Sequence, residues 1–126
     1  MSIENVWAVS NAEKAVEWYR KADALGCAEA PRYLGALYYN DQTLDPDGAK
    51  AVEAFRKGAE AKDSYATNWL GLCYANGRGV EQSYETANEY YRQAAELGNV
   101  VAMRNLAYNY KNGRVSHLNC PPGWSL

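Results

Sequence analysis

Apolar residues return along this chain at steps of three and four, and the whole pattern returns again every 36 residues. Leu34-Gly35, Leu70-Gly71 and Leu106-Ala107 mark the block, and Tyr38, Tyr74 and Tyr110 each follow four residues after the leucine. Ala15, Ala51 and Ala87 keep the same interval, as do Tyr19, Phe55 and Tyr91, and Arg20, Arg56 and Arg92. Steps of three and four gather side chains on one face of a helix. A block repeated in register with no insertion predicts supersecondary units that bury their apolar faces against one another in a stack. No strand-like alternation of useful length interrupts the pattern. The predicted fold is all-α, an α-solenoid of antiparallel helix pairs with a 36-residue repeat.

Cap chemistry agrees with the period. Asn11 is placed to cap a helix over residues 12–25 that stops at Gly26, with Met1 to Ser10 covering the open end of the first unit. Asp47 and Ser83 hold the same cap position one and two intervals later, and both accept bonds from orphan helix N–H groups. Pro31 fits only the first turn of a helix, so the segment EAPRYLGALYYN starts there, and Gly35 lets a neighbouring helix approach. Asp63 or Ser64 caps the next first helix, Gly77-Arg78-Gly79-Val80 turns the chain, and Asn99 caps a last helix that stops at Gly113. Glu17 and Lys21, four apart, are expected to pair on a helix surface. Tyr38, Tyr74 and Tyr110 are expected in the core, with Trp18 and Trp69 as packing residues.

The chain divides into an array over 1–114 and an irregular tail over 115–126. Cys120-Pro121-Pro122-Gly123 stands where a new second helix is due and cannot start one comfortably. The face around Leu106 and Tyr110 therefore needs a cover, either Trp124 or Leu118 folding back or another chain.

Composition narrows the function more than the fold. With 126 residues there is room for one short array, and a hydrophobic content of 48 % is that of a folded chain. The formal charge of −2 lacks the basic excess that phosphate binding demands, which argues against nucleic acid. No apolar run approaches the ~20 residues that span a bilayer, and the N-terminus lacks the charged-then-apolar form of a signal peptide. Cys27, Cys73 and Cys120 ignore the 36-residue period. They read as reduced thiols in a cytoplasmic, reducing compartment, with Cys73 a small core residue and Cys27 near a helix start, where the dipole would favour a thiolate. The lone histidine, His117, lies in the tail beside Cys120, with nothing in the sequence to supply an oxyanion or a third group. No metal-ligand spacing and no phosphate-binding loop after a strand are present. The expectation is a protein without enzymatic activity, cofactor or metal.

Leu70-Gly71, Tyr74, Gly77, Gly79-Val80, Ala87, Tyr90-Tyr91 and Ala94-Ala95 followed by Gly98 resemble the Sel-one-like repeat (SLR) pattern, a relative of the tetratricopeptide repeat. The resemblance runs from about Asn11 to Gly113. It is weakest in the copy starting at Ala30, which has Asp41 and Thr43 where the pattern wants glycines. It implies a right-handed superhelix of antiparallel helix pairs and a scaffold or adaptor role. Some cysteine-rich relatives carry bridged helix pairs and are linked to penicillin-like ligands; the cysteines here lack that per-repeat placement.

In such stacks the first helix of each pair lines the concave side. That places Arg32, Asn68 and Arg104 in one row of the groove, Ala36, Leu72 and Tyr108 in the next, and Tyr39, Ala75 and Lys111 in a third. Asn40, Asn76 and Asn112 form a fourth row, which also reads as a set of helix stops. Three cations and no carboxylate among these positions, in a net acidic chain, point to a protein or peptide partner with an acidic or C-terminal-carboxylate segment. The expected contact set is Arg32, Ala36, Tyr39, Asn68, Leu72, Arg104, Tyr108 and Lys111. Two alternatives stand beside it: an inhibitor or immunity-type protein that neutralises a partner enzyme or toxin, and a module that self-associates through its last helix.

Overall fold

The computed structural model describes residues 3–114, with side chains from residue 11 onward. Six helices follow one another: α1 (Ile3–Ala24), α2 (Ala30–Asn40), α3 (Ala49–Glu60), α4 (Ser64–Asn76), α5 (Tyr84–Glu96) and α6 (Val100–Lys111). Each helix packs on the next in the chain, and α2 also touches α4. Among the described residues there is no strand. The architecture is a stack of helices consistent with an α-solenoid.

The repeated residues make repeated contacts. A methyl group added at Gly35 would lie 2.4 Å from the Phe55 ring, and one at Gly71 would lie 2.7 Å from the Tyr91 ring. Each glycine therefore admits an aromatic ring from the second helix of its own pair. The Phe55 ring also stacks on Trp69 of the next first helix at 5.4 Å, and Tyr19, 36 residues earlier, stacks on Tyr33 at 5.8 Å. One residue further on, Arg20 donates to the Tyr38 hydroxyl and Arg56 to the Tyr74 hydroxyl, both at 2.8 Å. Phe55 and Leu70 are fully buried at the centre with Val52 and Cys73. Burial of each such side chain stabilises the fold by about 1.5–3 kcal/mol.

Three of the expected caps form. Asp63 accepts from Tyr65 N–H, Ser83 from Thr86 N–H and Asn99 from Ala102 N–H. Gly26, Gly98 and Gly113 carry the positive φ angles of chain stops. The Glu17–Lys21 pair forms at 3.2 Å on an exposed surface, where it contributes a few tenths of a kcal/mol.

Two of the expected caps differ. Asn11 lies inside α1, which starts at Ile3. The segment from Ile3 to Ser10 holds no glycine or proline, and an existing helix gains one bond per residue as it extends, so nothing halts it at Asn11. At α3 the cap residue is Gly48, in the left-handed region, and the capping oxygens come from two aspartates. Asp45 accepts from Lys50 and Ala51 N–H, while Asp47 takes the Ala49 N–H. That N–H holds the Asp47 carboxyl below the usual carboxylate range. Gly48 is there for space as well: a methyl group on it would sit 2.6 Å from Gly79 N, so the α2–α3 loop and the α4–α5 loop touch backbone to backbone.

Tyr38 is buried as expected, whereas Tyr74 and Tyr110 are half-buried. Trp69 packs between Phe55 and Tyr39. Trp18 does not pack: it is 67 % exposed, with the Lys21 ammonium 4.6 Å from its ring. Three-and-four spacing groups it with Ala15 and Tyr19, but that spacing spans a face wide enough to include an exposed position. Trp124, Leu118, His117 and Cys120 lie outside the described residues.

Candidate protein-binding surface

The three first helices, α2, α4 and α6, hold no aspartate or glutamate, and their charged residues are Arg32, Arg104 and Lys111. The carboxylates lie on α1, α3 and α5 and in the connecting segments. The chain as a whole carries −2, so charge is segregated between the two sets of helices.

Side-chain hydrogen bonds bind the first helices to one another. Asn76 Nδ2 donates to the Tyr39 hydroxyl at 2.8 Å, linking α4 to α2. Asn105 Nδ2 donates to Asn68 Oδ1 at 3.1 Å, linking α6 to α4. Tyr39 and Asn68 thus have structural partners as well as a place on this face, and Asn68 is buried. Leu72 and Tyr108 come together: both line a hollow of about 190 Å³ between α4, α5 and α6, with Ala75, Tyr91 and Asn105. Arg104 and Lys111 are exposed on α6, and Ala36 is half-buried on α2.

Arg32 is held differently. Its Nε lies 3.0 Å from the Asp63 carboxylate, in an ion pair that is mostly shielded from solvent, and Nη2 lies 3.7 Å from Glu29. Its guanidinium is 4.4 Å from the Tyr65 ring and 5.4 Å from that of Tyr33. The Asp63 carboxylate that pairs with Arg32 also caps α4, so Arg32 joins the starts of α2 and α4.

Two arginines were not among the expected contacts. Arg78 donates through Nη2 to the carbonyls of Tyr38 at 3.0 Å and Asp45 at 2.7 Å, and through Nη1 to that of Pro46 at 3.3 Å. It closes the C-terminal end of α2 and fixes the loop after it. Arg114 stands 36 residues later in the same frame; its N–H bonds to the Asn109 carbonyl as that of Arg78 does to Cys73. Its guanidinium lies 4.9 Å from the Tyr84 ring and 5.3 Å from that of Tyr108, at the rim of the hollow. The recurrence of Gly-Arg at 77–78 and 113–114 was the sequence signal for both.

A larger cleft, about 590 Å³, opens on another side between α1 and α3. Its walls mix cations and carboxylates, among them Arg20, Glu53 and Arg56, and a Lys57–Asp23 ion pair spans it. Its charges are largely matched within the wall. Burial pushes the Cys73 thiol up to about 12, which keeps it protonated and unreactive, whereas Cys27 is an exposed free thiol. Among the described residues no cluster of histidine, cysteine and carboxylate side chains is arranged to hold a metal ion, and no helix is long and apolar enough to cross a membrane.

The Sel1 repeat family model matches at 8–27, 28–63, 64–99 and 100–119. No curated protein matches the chain. Among solved structures, a protective antigen of uropathogenic Escherichia coli with an SLR fold is 37% identical with a TM-score of 0.70, over 78% of this chain and 21% of its own. A Sel1 repeat protein from Oxalobacter formigenes is 31% identical with a TM-score of 0.72, over 86% of this chain and 42% of its own. Cysteine rich protein B of Helicobacter pylori is 26% identical with a TM-score of 0.65, over 75% of this chain and 71% of its own. The chain thus spans about a fifth of the first of these proteins and less than half of the second.

Proposed function

The chain belongs to the Sel1 repeat family, whose repeats generally serve as protein–protein interaction modules, and on that premise we propose that it is an adaptor taking an acidic segment of a partner protein on the face of α2, α4 and α6. In this reading the stack is a right-handed superhelix with that face on its concave side. One observation carries the proposal: these helices bear Arg104 and Lys111 exposed and no carboxylate, in a chain that is net acidic. Positive potential on the groove speeds encounter with an acidic segment and sets its register more than it sets final affinity. Tyr108 and Leu72 add apolar contact area. Arg32 contributes through the shape it gives the groove, since its charge is already matched by Asp63.

Selection from a random-peptide display library tests this directly. Bound peptides should be enriched in aspartate and glutamate, bind more weakly as salt rises, and lose binding to Arg104→Glu/Lys111→Glu. Peptides without acidic bias, or equal binding to the double variant, would overturn the assignment.

A second reading, self-association through the last helix, rests on Val100, Met103 and Leu97, which are exposed apolar residues on or beside α6. A mass in sedimentation that rises with protein concentration and falls back in Met103→Glu would favour it.

A further inference from the structure

The two arginines that share a place in the repeat are put to different uses. Arg78 is engaged within the chain through both Nη groups, which donate to the carbonyls of Tyr38, Asp45 and Pro46, and only its Nε is without a partner among the described residues. The same reach from Arg114 would meet Tyr74, whose carbonyl accepts from the Ser83 N–H at 2.9 Å, beside an Ala75 carbonyl that accepts from Gln82 at 2.8 Å. Arg114 keeps the backbone position of Arg78, yet no bond from it to the counterpart carbonyls of Tyr74, Glu81 and Gln82 forms among the described residues. Among the described residues its guanidinium makes ring contacts and no hydrogen bond or ion pair. A half-buried guanidinium is a planar fork of five donors, here held against two aromatic rings. The rings orient it, and no described residue bonds its donor edge.

Resting on the proposed groove, we infer that Arg114, braced by Tyr84 and Tyr108, is the anchor that seats a glutamate or aspartate side chain of the bound acidic segment. The carboxylate would pair with the guanidinium in the two-point geometry that arginine favours. The aliphatic part of the same residue, or its apolar neighbour, would enter the hollow of about 190 Å³ floored by Leu72, Ala75 and Tyr91. Lys111 and Arg104 on α6 continue the positive strip away from this point. An internal acidic residue fits this strip better than a chain end, because several cations in a row reward several carboxylates.

Three fluorescein-labelled peptides separate the possibilities: alternating glutamate and leucine with an amidated end, its glutamine counterpart, and the glutamine peptide with a free C-terminal carboxylate. Fluorescence anisotropy gives each Kd. The glutamate peptide should bind, and Arg114→Gln should weaken it by about tenfold or more, the scale of a charge-assisted two-point contact. Arg104→Gln, a surface charge, should cost only about two- to fourfold. Arg114→Lys should restore only part of the loss. The Arg114 Nε–H resonance should move on addition of peptide, and Arg114→Gln should melt as the parent does. If Arg104→Gln weakens binding while Arg114→Gln leaves Kd within twofold, the anchor is wrong and the groove stands. Binding of the free-carboxylate glutamine peptide in place of the glutamate peptide also overturns the inference. A glutamate peptide that fails to bind removes the anchor and the acidic groove together.

Discussion

Replacing Arg78 with alanine probes how the array is held at its loops. The side chain supplies donors to three carbonyls: those of Asp45 at 2.7 Å, Tyr38 at 3.0 Å and Pro46 at 3.3 Å. Tyr38 and Asp45 are buried, so water reaches their carbonyls poorly once the guanidinium is gone, whereas Pro46 is exposed and can turn to solvent. A hydrogen bond from a charged donor is worth about 1.5–3 kcal/mol, and an unpaired buried acceptor costs about 1–3 kcal/mol. Two such acceptors put the loss at roughly 2–6 kcal/mol, and the long contact to Pro46 adds little. That is a large part of the ~5–15 kcal/mol expected of a domain. Leu70→Ala, which opens a cavity at a fully buried site, should cost ~2–5 kcal/mol, the same range. Urea unfolding followed by circular dichroism at the helix band measures both. Arg78→Lys should recover only part of the loss, because one ammonium cannot span the same carbonyls. An Arg78→Ala protein within about 0.5 kcal/mol of the parent, the usual effect of a surface change, would refute the reasoning.

Other outcomes follow from the same packing. Asn109 Nδ2 donates to Asn88 Oδ1 at 2.8 Å where the preceding unit places Cys73 and Val52, and both asparagines are buried. Asn88→Val alone should therefore cost about 1–3 kcal/mol by stranding Asn109, and Asn88→Val/Asn109→Cys should recover part of it; additive losses in a double-mutant cycle would contradict the pair. Alkylation at pH 8 followed by peptide mapping should label Cys27 quickly and Cys73 only under denaturant; comparable rates would contradict the burial of Cys73. Burial raises the Cys73 pKa to about 12 and that of the Tyr91 phenol above its ordinary value. The unfolded chain therefore loses these protons first, and the stability they contribute, intact below about pH 8.5, falls by up to about 1.4 kcal/mol per pH unit from Cys73 alone as pH rises towards 12. A flat unfolding free energy from pH 9 to 11 would show that neither group resists ionisation. Arg32→Glu should lower stability by about 3–5 kcal/mol, by placing two carboxylates together in a shielded site, and an unchanged melting curve would contradict the Arg32–Asp63 pair.

What could be read before the structure was the local and the periodic. Gly35 announced a close helix contact because only glycine fits beneath the ring of Phe55, and its repeat mate Gly71 sits the same way beneath Tyr91. Asp63, Ser83 and Asn99 announced helix starts because a cap needs nothing beyond its own first turn. Asn11 misled, because a residue suited to capping does not stop a helix that meets no breaker. Trp18 misled because periodicity fixes a face to within a turn and not to a single residue. The candidate surface was less legible. Arg32 looked like a groove cation, but its partner Asp63 lies 31 residues away at the cap of another helix, and only folding brings the two charges together. Arg78 and Arg114 occupy one repeat position, yet one is absorbed by carbonyls and the other is left at a rim. The Tyr74 carbonyl, counterpart of the Tyr38 carbonyl that Arg78 holds, accepts from the Ser83 N–H instead, a difference that no spacing rule encodes.

The measurement that bears most directly on the acidic-segment groove is a titration of the ¹⁵N-labelled protein with the amidated glutamate–leucine peptide, followed by NMR. Shifts should gather on α4 and α6, at Leu72, Asn105, Tyr108 and Lys111, and be lost in Arg104→Glu/Lys111→Glu. Shifts gathered instead along the cleft between α1 and α3, at Arg20, Glu53 and Arg56, would contradict that groove.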